Sequence, residues 1–114
     1  MATASQIIKL TEDTNLTQCL EGENRLVIFY LVKTHCPACI SIESYMRQLS
    51  MNYDRYLVIV KVDIQQTPDF VAGSTISAVP AFLFYKKGQW FTHDVIAGVN
   101  IPLFESKISH YLAL

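Results

Sequence analysis

Strand and helix patterns alternate through most of the chain and give way to a hairpin and a last helix. This predicts an α/β fold, with a central mixed β-sheet flanked by helices on both faces. Three segments carry the prediction. Arg25 to Val32 is almost continuously apolar, as a strand buried on both faces must be. Tyr56 to Val62, rich in Val and Ile, reads as a second buried strand. Ala81 to Tyr85, the turn Lys86-Lys87-Gly88-Gln89 and the return from Trp90 to Ile96 read as an antiparallel hairpin.

The other elements fall between these. Gln6 to Leu10 is a short apolar start that suits an edge strand. Thr11 to Leu20 suits a helix: Thr11 caps it, Glu12 and Asp13 favour its positive end, Leu16, Cys19 and Leu20 share a face, and Gly22 ends it. After Cys39, the residues Ile42, Met46 and Leu49 recur at helical spacing. Thr67-Pro68-Asp69 starts a short helix through Phe70 and Val71, since proline is accepted in a first turn, and Gly73 breaks it. Gly98 punctuates the end of the hairpin. Asn100 then caps a last helix in which Phe104, Ile108 and Tyr111 share a face.

A chain of 114 residues has the size of one domain, expected here to span 1–114. With 51% hydrophobic residues it can fill one core. The net charge of −1 is dispersed, without the basic stripe of a nucleic-acid binder or the charge block of a tail. The longest apolar run, Leu26 to Val32, is far shorter than the roughly 20 residues of a membrane span. The start, Met1-Ala2-Thr3-Ala4-Ser5-Gln6, has no basic region leading into an apolar one, and three cysteines make no secreted disulfide framework. A cytoplasmic location follows as the expectation, with neither nucleic acid nor membrane as partner. In a reducing compartment a lone CxxC is catalytic or metal-binding rather than structural.

The chemistry concentrates in Thr34-His35-Cys36-Pro37-Ala38-Cys39, between a buried strand and a helical pattern. With Cys36 at the cap and Pro37 at the first helical position, the Cys36 sulfur faces the free N–H groups and positive end of the helix. Both favour thiolate over thiol, and a protonated His35 would add to this. Cys39 falls one turn later on the core-facing side. The spacing therefore predicts one exposed, acidic sulfur and one shielded, less acidic sulfur. Such a pair performs disulfide exchange: Cys36 attacks, Cys39 resolves, and a separate reductant regenerates the dithiol. A half zinc site is the competing reading, but four ligands are needed. Cys19 lies in a helical core pattern, and His93 and His110 form no spaced pair with it, so no metal and no cofactor is assigned. Cys19 reads as a small core hydrophobe. His35 reads equally as a tuning group or a solvated loop histidine.

The whole of this pattern resembles the thioredoxin family. Lys61-Val62-Asp63 followed by Thr67-Pro68 resembles its third strand and the loop beyond. Val79-Pro80-Ala81-Phe82-Leu83-Phe84 with Lys86-Lys87-Gly88 resembles its hydrophobic-Pro stretch and hairpin, and Gly98 its glycine before the last helix. The resemblance implies a thioredoxin fold and a protein-disulfide reductase whose partners are protein disulfides and an electron donor like thioredoxin reductase. Pro80 would be the family's cis-proline beside the sulfurs. The backbone of Val79 would pair with an extended substrate segment, as in strand addition. Ala97 and Gly98 would flank that groove.

Some residues depart from the family. His35 stands where a tryptophan is usual, and proline directly follows the first cysteine, as in glutaredoxins and some oxidising members. The position of the family's buried acid holds Tyr30, while its companion lysine is retained as Lys61. The proline that kinks the active-site helix is replaced by Ser44. On this reading Cys39 lacks an internal base and becomes the slow, resolving step. Lys61, left without a partner, turns toward solvent or sheds its proton, because an unpaired buried ammonium is costly. Two alternatives stay open. One is a binding module on the same fold with little turnover. The other is a glutaredoxin-like or oxidising exchanger. Against the glutaredoxin reading stand the extra unit Met1 to Glu21 and Ala97-Gly98-Val99-Asn100, where glutaredoxins carry Gly-Gly.

Overall fold

The consecutive buried residues Leu26–Val32 form β2, the middle strand of a five-stranded sheet in the computed structural model, which describes residues 7–114. Met1–Gln6, and with them the start of the expected edge strand and the reading of the leader, lie outside the described residues. β1 (Ile8–Lys9) and β3 (Leu57–Asp63) lie on one side of β2, β4 (Ala81–Lys86) and β5 (Gln89–Ala97) on the other, in the order β1-β3-β2-β4-β5. β2 runs parallel to β3 and antiparallel to β4, so the sheet is mixed.

The alternation of side chains along β2 builds two cores. Leu26, Ile28, Tyr30 and Val32 face one side, where Cys36, Cys39, Ile42, Met46, Phe104, Ile108 and Tyr111 cover them. These come from α2 (Pro37–Ser41), α3 (Glu43–Asn52) and α4 (Ile101–Leu112), with Cys36 and Ile42 at the ends of α2. Val27, Phe29 and Leu31 face the other side, against Leu16 and Leu20 of α1 (Leu16–Leu20) and Phe70 and Val71 of the 3-10 turn Pro68–Val71. Asn100 caps α4 as expected, its side chain accepting the Leu103 N–H. None of the described helices is long and apolar enough to cross a membrane.

Some boundaries move, each for a local reason. α1 begins at Leu16 with Asn15 as its cap, accepting the Gln18 N–H at 3.0 Å, and not at Thr11. The Thr11 N–H is taken by the Thr14 hydroxyl at 3.0 Å, a local side-chain bond of the kind that competes with helix. The turn between β4 and β5 shrinks to Lys87-Gly88, both with positive φ (50° and 87°), as a two-residue hairpin turn of this hand requires. The helix after Cys39 is interrupted at Ile42, where φ/ψ is −104°/2°. Beside the break, the Ser41 hydroxyl donates to the Ala38 carbonyl at 2.7 Å, occupying an acceptor of the short α2.

Cys19 is a correction: it is exposed, not a core residue. The short α1 buries no residue fully and leans on the sheet through Leu16 and Leu20. Cys19→Ala is accordingly expected to change stability by less than about 0.5 kcal/mol, the range of ordinary surface substitutions. Urea unfolding of the two proteins checks this.

Candidate active site

β2 delivers the chain to a surface loop whose last residue, His35, is exposed and holds the left-handed backbone conformation (φ 59°). Histidine adopts this conformation more readily than most non-glycine residues. The Thr34 N–H donates to Gln65 Oε1 at 3.1 Å and ties the loop to the segment after β3. Cys36 then caps α2, with its Sγ accepting the Cys39 N–H at 3.1 Å and Pro37 opening the helix. Cys36 and Cys39 are joined as a disulfide with Cα atoms 5.2 Å apart.

The expected difference in exposure is absent. Cys36 is 6% and Cys39 5% exposed, because the bridge holds the Cys36 sulfur beneath the loop before β4, with the Val79 carbonyl oxygen 3.9 Å away. The asymmetry that the fold does provide is electrical. Cys36 sits at the helix start and receives an N–H, and Cys39 lies one turn inside.

The candidate groove residues adjoin one another, with the Val79 carbonyl nearest the Cys36 sulfur. The Val79–Pro80 peptide bond is cis, Pro80 is buried and Val79 partly so. Ala97 pairs with Ala81 across β4 and β5, and the Gly98 N–H donates to the Pro80 carbonyl at 2.7 Å. Gly98 has φ +83°, and a Cβ built there would meet nothing within 4 Å. Backbone conformation, not crowding, is what favours glycine at that point.

The expectation for Lys61 is overturned as well. Lys61 is not left without a partner: its Nζ lies 3.0 Å from Glu43 Oε1. Tyr30, fully buried and level with Lys61 in the β2–β3 register, places its hydroxyl 3.1 Å from the Cys39 carbonyl and 3.2 Å from the same Glu43 oxygen. The carboxylate thus arrives from the first turn of α3 rather than from β2. Sequence reasoning missed Glu43. Its signals were a place four residues after Cys39 and the polar pair Tyr30 and Lys61 side by side on neighbouring strands.

Burial opposes ionisation of Glu43, but the hydrogen bond and charge of Lys61, then Tyr30 and Arg47, outweigh it and hold the carboxyl below its usual value. Burial first, and then the Glu43 charge, push the Tyr30 hydroxyl well above the usual tyrosine range, so it stays a donor. A carboxyl whose pKa is lower folded than unfolded adds stability above its unfolded value of about 4.3, and loses it as pH falls through the folded value. Glu43→Gln should therefore flatten the acid side of the stability–pH curve, measured by urea unfolding from neutral pH down to the acid transition. An unchanged acid limb would contradict the ion pair.

A sulfur at a helix start, bridged to a second one turn on and set under a proline loop, is built for thiol–disulfide exchange. On this fold it defines the class: a protein-disulfide oxidoreductase. The thioredoxin family model matches residues 6–109, and the chain belongs to the thioredoxin family. It is 30% identical to mouse (Mus musculus) thioredoxin over 107 residues, which cover 92% of this chain and 99% of that one. It is 31% identical to a thioredoxin H-type from Populus jackii over 90 residues, covering 79% of this chain and 63% of that protein's length. Among solved structures, the reduced Schistosoma mansoni thioredoxin pre-protein superposes with a TM-score of 0.80 at 31% identity, covering 93% of this chain and 98% of that one.

Proposed function

We propose that the protein, acting as one domain over residues 1–114, reduces disulfides in other proteins, with Cys36 as the attacking thiol and Cys39 as the resolving one. The observation that carries this is the place of Cys36 Sγ at the α2 cap, receiving the Cys39 N–H. In the dithiol form that N–H and the helix dipole stabilise a thiolate there.

The Cys36 thiolate attacks one sulfur of the substrate disulfide. A mixed disulfide forms, and the other substrate sulfur leaves as a thiolate that takes a proton from solvent. Cys39, deprotonated, then attacks Cys36 and expels the second substrate thiolate, so two electrons pass to the substrate and the internal disulfide closes. A separate dithiol donor, of the kind that serves thioredoxins, reopens it. The extended substrate segment lies along the backbone of Val79, between Pro80 and the Ala97–Gly98 corner. His35, exposed next to Cys36, contributes positive charge when protonated. The cytosol, where thiols are kept reduced, suits a chain with a single CxxC.

The test is reduction of insulin disulfides with dithiothreitol as donor. Catalytic amounts of the protein are expected to accelerate precipitation of the insulin B chain. Tight binding to insulin with no acceleration would overturn the reading in favour of a binding module.

A further inference from the structure

We propose that the groove between the segment 73–78 and β5 is an extended binding site for the substrate's own chain. Trp90, at the far end of this groove, receives an aromatic side chain of that substrate, about seven residues from the cysteine under attack. The inference rests on the reading of the protein as a reductase of protein disulfides.

Two cavities lie side by side on the sheet face that carries Phe29 and Leu31. The first, of about 370 Å3, has Ala78, Ala81, His93 and Ala97 in its walls. The second, of about 660 Å3, has Phe70, Leu83 and Trp90 in its walls. Thr75, Ile76, Thr92 and Val95 line both, so the two are successive compartments of one groove. Its near end adjoins the active site. Ala78 precedes Val79, whose carbonyl lies 3.9 Å from the Cys36 sulfur, and Ala97 stands at the corner already assigned to the substrate segment. At its far end, Trp90 is 39% exposed although its ring stacks on Phe29 with centroids 5.0 Å apart.

The groove is open because the elements on this face are short. α1 has five residues and buries none of them fully, and Pro68–Val71 is a single 3-10 turn. Thr92 and Trp90 of the edge strand β5 are left exposed. Volumes of this order are those of ligand clefts. At about 3.3 Å per residue, β5 from Trp90 to Ala97 covers roughly 23 Å, which an extended segment of about seven residues spans. Trp90 and Phe70 offer ring faces and edges to a substrate ring, and tryptophan is among the side chains that most often dominate a recognition surface. Asp69, in the wall of the same compartment, disfavours an acidic side chain there. Bond making and breaking at Cys36 and Cys39 are as given above. The groove adds hold on the substrate, and so acts on KM.

The experiment uses disulfide-linked homodimers of a synthetic peptide with one cysteine in a Gly-Ser background, with dithiothreitol as donor. Phe, Ala or Glu is placed seven residues from the cysteine, on its N-terminal side in one series and on its C-terminal side in another. In one series Phe is expected to lower KM about tenfold or more relative to Ala, as removal of an aromatic side chain from water does. Glu is expected to be no better than Ala. Thr92→Arg, which places a long side chain in the wall shared by both compartments, is expected to bring the Phe-to-Ala ratio to about one. Should Thr92→Arg fail to fold, Thr75→Arg gives the same test from the other wall. Joining the Phe peptide to Cys36 in Cys39→Ser is expected to shift the emission of Trp90, the one tryptophan in the sequence, and joining the Ala peptide is expected to leave it in place. Equal KM for Phe and Ala in both series would overturn the proposal. So would a Phe preference that survives the arginine variant, or an emission that the Phe peptide does not move. A protein that reduces none of the peptides would overturn the reductase reading instead.

Discussion

Cys39→Ser is expected to stop multiple turnover and to leave the protein joined to its substrate through Cys36, whereas Cys36→Ser is expected to stop turnover and trap little. The difference follows from the two positions on α2. Cys36 keeps its cap geometry when Cys39 is replaced, because the N–H that its sulfur accepts belongs to the backbone of residue 39. Its thiolate is still favoured and still attacks. With no second sulfur the mixed disulfide waits for an external thiol. In Cys36→Ser the remaining thiol lies inside the helix, at a buried position without the cap environment. Insulin reduction by both variants should fall to the rate of dithiothreitol alone. Non-reducing gel electrophoresis of each variant with a disulfide-bonded protein, followed by mass spectrometry of the conjugate, reads the trapping. Equal trapping by both would mean that the helix cap does not distinguish the sulfurs.

The second large effect is expected at Tyr30. Sequence reasoning alone recommends Tyr30→Asp, as the restoration of a missing acid that would speed release of the reduced substrate. The structure points the other way. The ring is fully buried and stacks on Phe82 with centroids 5.7 Å apart, and its hydroxyl joins Cys39 to Glu43. Aspartate would leave a cavity and add a second carboxylate beside Glu43, with Lys61 left to serve both. Loss of a buried aromatic ring costs about 3–5 kcal/mol before any electrostatic penalty. Tyr30→Asp should therefore be strongly destabilised in urea unfolding and gain no speed. Tyr30→Phe keeps the ring and should lose about 1–2 kcal/mol, the worth of a buried hydrogen bond made to charged and neutral acceptors. A Tyr30→Asp protein as stable as wild type would show that the carboxylate from α3 is not the one this fold relies on.

These contrasts mark where the sequence could be read and where it could not. The sheet was legible because burial on both faces forces continuous apolar runs, and Leu26–Val32 and Leu57–Val60 are such runs. The CxxC was legible because a proline after a cap residue fixes the helix start, and the helix start fixes which sulfur meets the dipole. Local competitors of helix were not. The Thr11–Thr14 bond delays α1, and the break at Ile42 divides one helical pattern into two. Periodicity registers neither. Cys19 was misread because helical spacing from Leu16 says only that residues are neighbours, not that the helix is pressed onto the core. Glu43 was missed for a tertiary reason: strand register brings Tyr30 beside Lys61, and the break at Ile42 starts a new helix at Glu43 itself. An aligned position said that an acid was absent, and the folded chain supplies one from a different element.

Competitive alkylation tests most directly whether the α2 cap makes Cys36 the reactive sulfur. The fully reduced Cys19→Ala variant, which removes the exposed third thiol, is treated with limiting iodoacetamide at mildly acidic pH and the label is mapped by mass spectrometry. Because alkylation proceeds through the thiolate, the label is expected on Cys36 in large excess over Cys39. Label distributed equally, or found mainly on Cys39, would contradict it.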